Sequence, residues 1–187
     1  MKHFGNWLAA GVVLALSSLA SAQTFKIDPV HSQIIFKVRH MNVSNVYGRI
    51  NDPTGTMILG DDPSKWSFEV SASIDNVDTH NPKRDAHLKS PDFFSAKEFP
   101  EVSFKSTAVK KIDDKNVEVT GDLMMHGVTK SVTVKAEHVG TATKMGQTRT
   151  GFDGALTIKR SDFGMNAMLD LVGDEITLMI NLEGIQQ

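Results

Sequence analysis

The chain has 187 residues, a formal net charge of −2 and no cysteine. That length suits one domain with a real core, and so small a negative balance points to neither nucleic acid nor an anionic membrane surface as partner. The absence of cysteine excludes zinc–thiolate sites, thiol nucleophiles and disulfides, so stability rests on packing and hydrogen bonds.

The N-terminus reads as an export signal. Lys2 is followed by an uncharged apolar run over residues 7–16 and then by Ala20-Ser21-Ala22, the order of basic region, apolar region and A-x-A cleavage site. The run falls short of the roughly 20 residues that span a bilayer, and Ser17 and Ser18 interrupt it. The pattern predicts a cleaved signal peptide over residues 1–22 and one mature, periplasmic domain over residues 23–187, not integral to the membrane.

After Gln23, apolar and polar residues alternate with the period of a half-buried strand. Ile34, Phe36 and Val38 begin the series. Trp66, Phe68, Val70, Ala72 and Ile74 alternate with Ser67, Glu69, Ser71 and Ser73. Val102 and Phe104 mark a further strand, and Val117, Val119, Leu123 and Met125 another. Val128, Val132, Val134 and Ala136 follow, then Phe152, Leu156 and Ile158, then Ile176, Leu178, Ile180 and Leu182. Hairpin-sized connections containing Asp, Asn, Pro or Gly separate several of these runs. About eight strands with short links predict an all-β, antiparallel up-and-down meander. Runs of about ten residues at ~3.3 Å each favour a tall barrel.

One segment breaks the period. Asn81-Pro82 opens a stretch with Ala86 and Leu88 inside it, ended by Ser90-Pro91. It predicts a short helix. With the aromatic loop that follows, Phe93, Phe94 and Phe99, the helix is expected to plug or cap one barrel mouth.

Chemistry-bearing patterns are sparse. His31, His40, His80, His87, His126 and His138 include no pair at the i, i+4 spacing of a helical zinc site, so no metal is expected. No G-x-S-x-G, S-x-x-K or glycine-rich phosphate loop is present. Two polar clusters remain, Arg84-Asp85 with His87, and Arg160-Ser161-Asp162. Each arginine either pairs with its neighbouring aspartate at the surface or holds the polar head of a ligand. The phenylalanines on shared strand parity either fill a core or line an open lumen; alternation does not separate these two arrangements.

The same residues carry a family resemblance. Asp28-Pro29-x-His31-Ser32-x-Ile34-x-Phe36-x-Val38-x-His40, Arg84-Asp85-x-His87-Leu88-x-Ser90-x-Asp92-Phe93-Phe94, Phe99-Pro100-x-Val102-x-Phe104-x-Ser106, the block from Gly121-Asp122-Leu123 to Lys130, and Arg160-Ser161-Asp162-Phe163-Gly164-Met165 resemble, in order, the motifs of the YceI-like family of exported polyisoprenoid-binding proteins. Met124-Met125 stands where the family often has a Leu-Thr-like pair. The resemblance implies a lipocalin-like β-barrel holding a long isoprenoid or similar amphiphile of polyprenyl phosphate or quinone type. It implies a soluble periplasmic homodimer, a carrier without catalytic residues and with no cofactor beyond the bound lipid.

Combined with strand parity, it predicts a ligand site in which Phe36, Val38, Phe68, Phe104 and Phe152 hold the tail. Arg84, His87 and Arg160 lie near its polar end. Two alternatives remain open. One is an enzyme acting on the lipid head group with His87 or His31 as general base and Asp85 as orienter. The other is a structural β domain with a filled core.

Overall fold

The computed structural model describes residues 22–187. The expected signal peptide therefore lies outside the described residues, apart from Ala22.

The chain forms β1 (Gln23–Ile27), β2 (Gln33–His40), β3 (Ser44–Ile50), β4 (Thr54–Leu59) and β5 (Ser67–Ser73). The two-residue β6 (Val77–Asp78) leads to α1 (Pro82–Leu88). Long strands follow: β7 (Glu101–Lys111), β8 (Asn116–Met125), β9 (Val128–Lys144), β10 (Gln147–Lys159) and β11 (Val172–Gln186). Eight of these close an antiparallel barrel in the order β1-β4-β5-β7-β8-β9-β10-β11, with β11 returning to β1. The expected barrel of about eight strands is thus the one found, and β2, β3 and β6 extend its wall from the first half of β11. β11 serves two partners on one edge. Its last residues pair with β1, as in Phe25↔Gln186, while Ile176 to Asn181 pair with β2. The barrel therefore has a narrow closed end at β1 and β4 and a wider end walled by β2 and β3.

The wide end is finished by the segment that broke the strand period. Asn81 caps α1, its side chain accepting from the amides of Lys83 and Arg84, and Pro82 occupies the first turn, where its missing N–H costs nothing. The following loop folds back on the helix: the amides of Phe94, Ser95 and Ala96 donate to the carbonyls of Leu88, Ser90 and Lys89. This strap turns Leu88 and Phe94 inward to pack with Phe36, Ile74 and Val77.

Two glycines within strands make room for rings. A Cβ on Gly48 would stand 2.2 Å from the Phe36 ring, and one on Gly121 would stand 2.5 Å from the Phe104 ring. Each phenyl lies flat against bare backbone on the neighbouring strand. One β-bulge re-aims a side chain. Phe152 pairs with His138 and Gly151 with Gly140, so Val139 is the extra residue and stays exposed while His138 turns inward.

Candidate functional site

The barrel interior is open. At the closed end a chamber of about 100 Å³ is lined by Phe68, Phe104, Val134, Phe152, Leu156 and Leu182 among others. Towards the strap a second chamber of about 90 Å³ is lined by Phe36, Val38, Phe93, Phe94, Ile158 and Arg160 among others. Ile34, Val102, Leu123 and Leu178 line both, so the two chambers stand in series along one lumen. A cavity of about 150 Å³ accommodates benzene. Two chambers of this size end to end suit a slender chain better than a bulky one.

The lining is almost wholly apolar. Ser103 is the polar exception in the first chamber and Arg160 in the second. Arg160 is 2 % exposed. Its Nη1 donates to the Met165 carbonyl at 2.7 Å, Nη2 to Val172 at 2.7 Å and Nε to Gly173 at 3.0 Å. Its guanidinium also lies 5.7 Å from the Phe93 ring centre, within cation–π range. Burial holds its pKa below the usual arginine range, and the Asp174 carboxylate opposes that shift.

The structure thus places all five expected tail residues on the lumen, Phe68, Phe104 and Phe152 in one chamber and Phe36 and Val38 in the next. The three expected head-group residues separate. Arg160 lines the second chamber. His87 touches the outer side of the same strap, edge-on to Phe93 at 5.0 Å, with Nε2 2.9 Å from Asp92. Arg84 does not line the cavity; it donates from Nε and Nη2 to the hydroxyl and carbonyl of buried Thr79, both at 2.7 Å. Asp85 accepts from the Thr79 amide and hydroxyl. The two residues thus grip Thr79 from both sides instead of pairing with each other. His87 therefore has Asp92, not Asp85, as its carboxylate partner.

Sequence reasoning missed two polar nodes outside the lumen. Asp28, 7 % exposed, lies 2.8 Å from His31 Nδ1 and accepts from Arg149 Nη1 at 2.7 Å. The same Nη1 donates to Glu183 at 2.5 Å. These residues come from the two chain ends and β10, and only closure of the ring brings them together. The second node is His138. Its ring stacks on Phe152 at 4.8 Å, and its Nε2 meets the hydroxyls of Thr141 and Thr150. Burial pushes its pKa below 6.5.

The Asp28 node predicts an acid response. The hydrogen bond from His31, and after it that from Arg149, outweigh burial and bring the Asp28 pKa down to about 2. Its folded pKa lies below its unfolded one. The stabilisation is therefore complete above the unfolded value near 3.8 and is lost as pH falls towards about 2. At ~1.4 kcal/mol per tenfold change in acidity it is worth on the order of 2 kcal/mol. Asp28→Asn should lower the melting temperature at neutral pH by roughly 4–8 °C, and the gap from the parent should close as pH falls to about 2. A gap that persists at the acid end would assign the loss to packing and not to charge.

A closed antiparallel barrel around an apolar lumen, with one buried cation in its lining, defines a binding-type fold. The YceI-like domain model matches residues 25–184, and the chain belongs to the YceI-like family. It is 38 % identical over 184 residues to a UPF0312 protein of Pseudomonas aeruginosa, an alignment covering 96 % of each. A Campylobacter jejuni YCEI protein of known crystal structure is 35 % identical, with a TM-score of 0.70 over 80 % of this chain and 90 % of that one. A domain of Saccharophagus degradans described as polyisoprenoid-binding shares the fold at a TM-score of 0.70, covering 87 % of this chain and 98 % of that one, with 13 % identity.

Proposed function

We propose that the chain is a periplasmic carrier for a long isoprenoid or similar amphiphile, its tail drawn through the two chambers and its polar head at Arg160. The observation that carries this reading is the lumen itself, two apolar chambers in series with one guanidinium in the wall of the second. A small barrel needing only stability would fill its interior with side chains. Each CH₂ taken from water is worth ~0.8 kcal/mol, and a bilayer offers the same tail nearly as much. The protein therefore exchanges lipid with membranes and does not sequester it irreversibly. Three of the five N–H groups of Arg160 hold carbonyls; the remaining two are the donors left for a head-group oxygen. Arg84 supports the site indirectly by fixing Thr79 at the root of the strap, and His87 by packing on Phe93. The fold-family neighbour described as polyisoprenoid-binding favours the same ligand class. No general base among the described residues lines either chamber, which favours binding over turnover of the head group.

Val102 lies where the chambers join. Val102→Trp should plug the junction while leaving the far-ultraviolet circular dichroism of the parent. Protein purified from its native host should release a stoichiometric amphiphile into organic solvent, and the plugged variant should release little. An empty parent, or a plugged variant as full as the parent, would remove the carrier reading. The leader is tested separately: the exported protein should have the intact mass of residues 23–187.

A further inference from the structure

Val38, Met165 and Val172 line the second chamber. In the chain these residues adjoin two loops that expose apolar side chains together. One is the hairpin tip between β2 and β3, with Met41 54 % and Val43 83 % exposed. The other precedes β11, where Met168, Leu169 and Leu171 are all exposed. Hydrogen bonds join the two into one patch: the Met41 amide donates to the Leu171 carbonyl at 2.7 Å, and the Leu171 amide to Met168 at 3.0 Å.

The backbone at this patch decides which substitutions it tolerates. Met41 has φ 50° and Met168 has φ 54°. These are left-handed positions, which turn chemistry gives to glycine, asparagine or aspartate. Keeping methionine there, with its side chain in water, works against both folding and solubility.

We infer that this patch is a membrane-docking surface: Met41, Val43, Met168, Leu169 and Leu171 enter the outer layer of a lipid bilayer and bring the adjoining second chamber against it. This rests on the reading of the lumen as a lipid site. The occupant follows from shape and continuity. The patch consists of five exposed unbranched and aliphatic side chains on two loops, without an aromatic among them. It also continues an apolar lumen whose cargo otherwise resides in a bilayer. Arg39 and His40 flank it on one side and Asp170 sits within it, so charge nearly cancels and the contact is apolar, insensitive to salt.

The test uses flotation of the mature protein with vesicles of phosphatidylethanolamine and phosphatidylglycerol, at low and high salt. The double variant Met41→Asp with Met168→Asp places aspartate where the left-handed backbone suits it, so its melting temperature should match or exceed that of the parent. Its vesicle partitioning should nevertheless fall roughly tenfold or more, given the apolar area withdrawn. Met145→Asp is the control, a fully exposed methionine at φ 52° in the β9–β10 turn at the opposite end; it should float as the parent does. Docking is overturned if the parent does not float, if the double variant floats as well as the parent, or if Met145→Asp loses as much. It is equally overturned if the double variant only dissociates a parent dimer that never binds vesicles, which would make the patch a contact with a second copy. Extraction of bound amphiphile from the same samples separates the two readings. A parent that floats but carries no amphiphile removes the carrier reading alone; one that carries amphiphile but never floats removes the docking alone.

Discussion

Phe68→Asp is expected to abolish the cooperative thermal transition or lower its midpoint by roughly 10 °C or more. Phe68 is 5 % exposed. Its ring meets Phe152 edge-to-face at 5.2 Å, and Met57 is its partner across β4. Removing the ring forfeits about 1.5–3 kcal/mol of burial. The carboxylate that replaces it faces a chamber without a basic partner, so it ionises at a cost of several kcal/mol or takes up a proton at neutral pH. Against a total stability of about 5–15 kcal/mol the sum is most of the reserve. Ser71→Asp on the same strand is the control. Ser71 faces outward and its hydroxyl donates to Glu101, so the new charge meets a like charge across the strands, a cost of about 0.2–1 kcal/mol. Equal melting temperatures for the two variants would reverse the facing of β5.

Arg160→Met should be nearly as damaging, for the opposite reason. Methionine preserves much of the apolar stem but leaves the carbonyls of Met165, Val172 and Gly173 without their charged donor. Leaving a buried carbonyl without a donor costs about 1–3 kcal/mol, and three are left at once. The damage should be local first. Amide exchange protection should fall over residues 164–174 before the barrel itself melts. Arg160→Lys should recover part of the loss, since an ammonium reaches one or two of the three carbonyls but lacks the planar fork. If Arg160→Met melts and exchanges like the parent, those carbonyls find other donors and the arginine is free to serve the ligand alone.

What the sequence made legible was local. Strand facing, the short helix opened by Asn81-Pro82, and the capping aromatic loop all follow from period, proline and alternation. β1, β3, β4 and β6 escaped because they are short, and because Gly48 and Gly55 interrupt the apolar phase in β3 and β4. The inward turn of His138 escaped because a single bulged residue, Val139, reverses parity in the middle of β9. The polar contacts were harder still. Neighbouring Arg84 and Asp85 look like a pair, yet both are drawn to Thr79, which sequence separates from them by a turn. Asp28, Arg149 and Glu183 are distant in the chain and meet only when the ring shuts. The shared parity of Phe36, Phe68, Phe104 and Phe152 placed them on one surface, but parity is blind to whether that surface encloses space.

The double use of β11 has a consequence for the order in which the molecule comes into being. The strand is 15 residues long and joins β10, β2 and β1, pairing Phe25 with Gln186. One edge of β1, the first described strand, therefore waits for the last. Contacts of such sequence separation form slowly and only after most of the chain is available. Until then the strands that will face the lumen have no lumen to face, and their apolar sides are exposed to whatever handles nascent protein. The cavity exists only once β11 has paired with β1; no partly paired sheet encloses one.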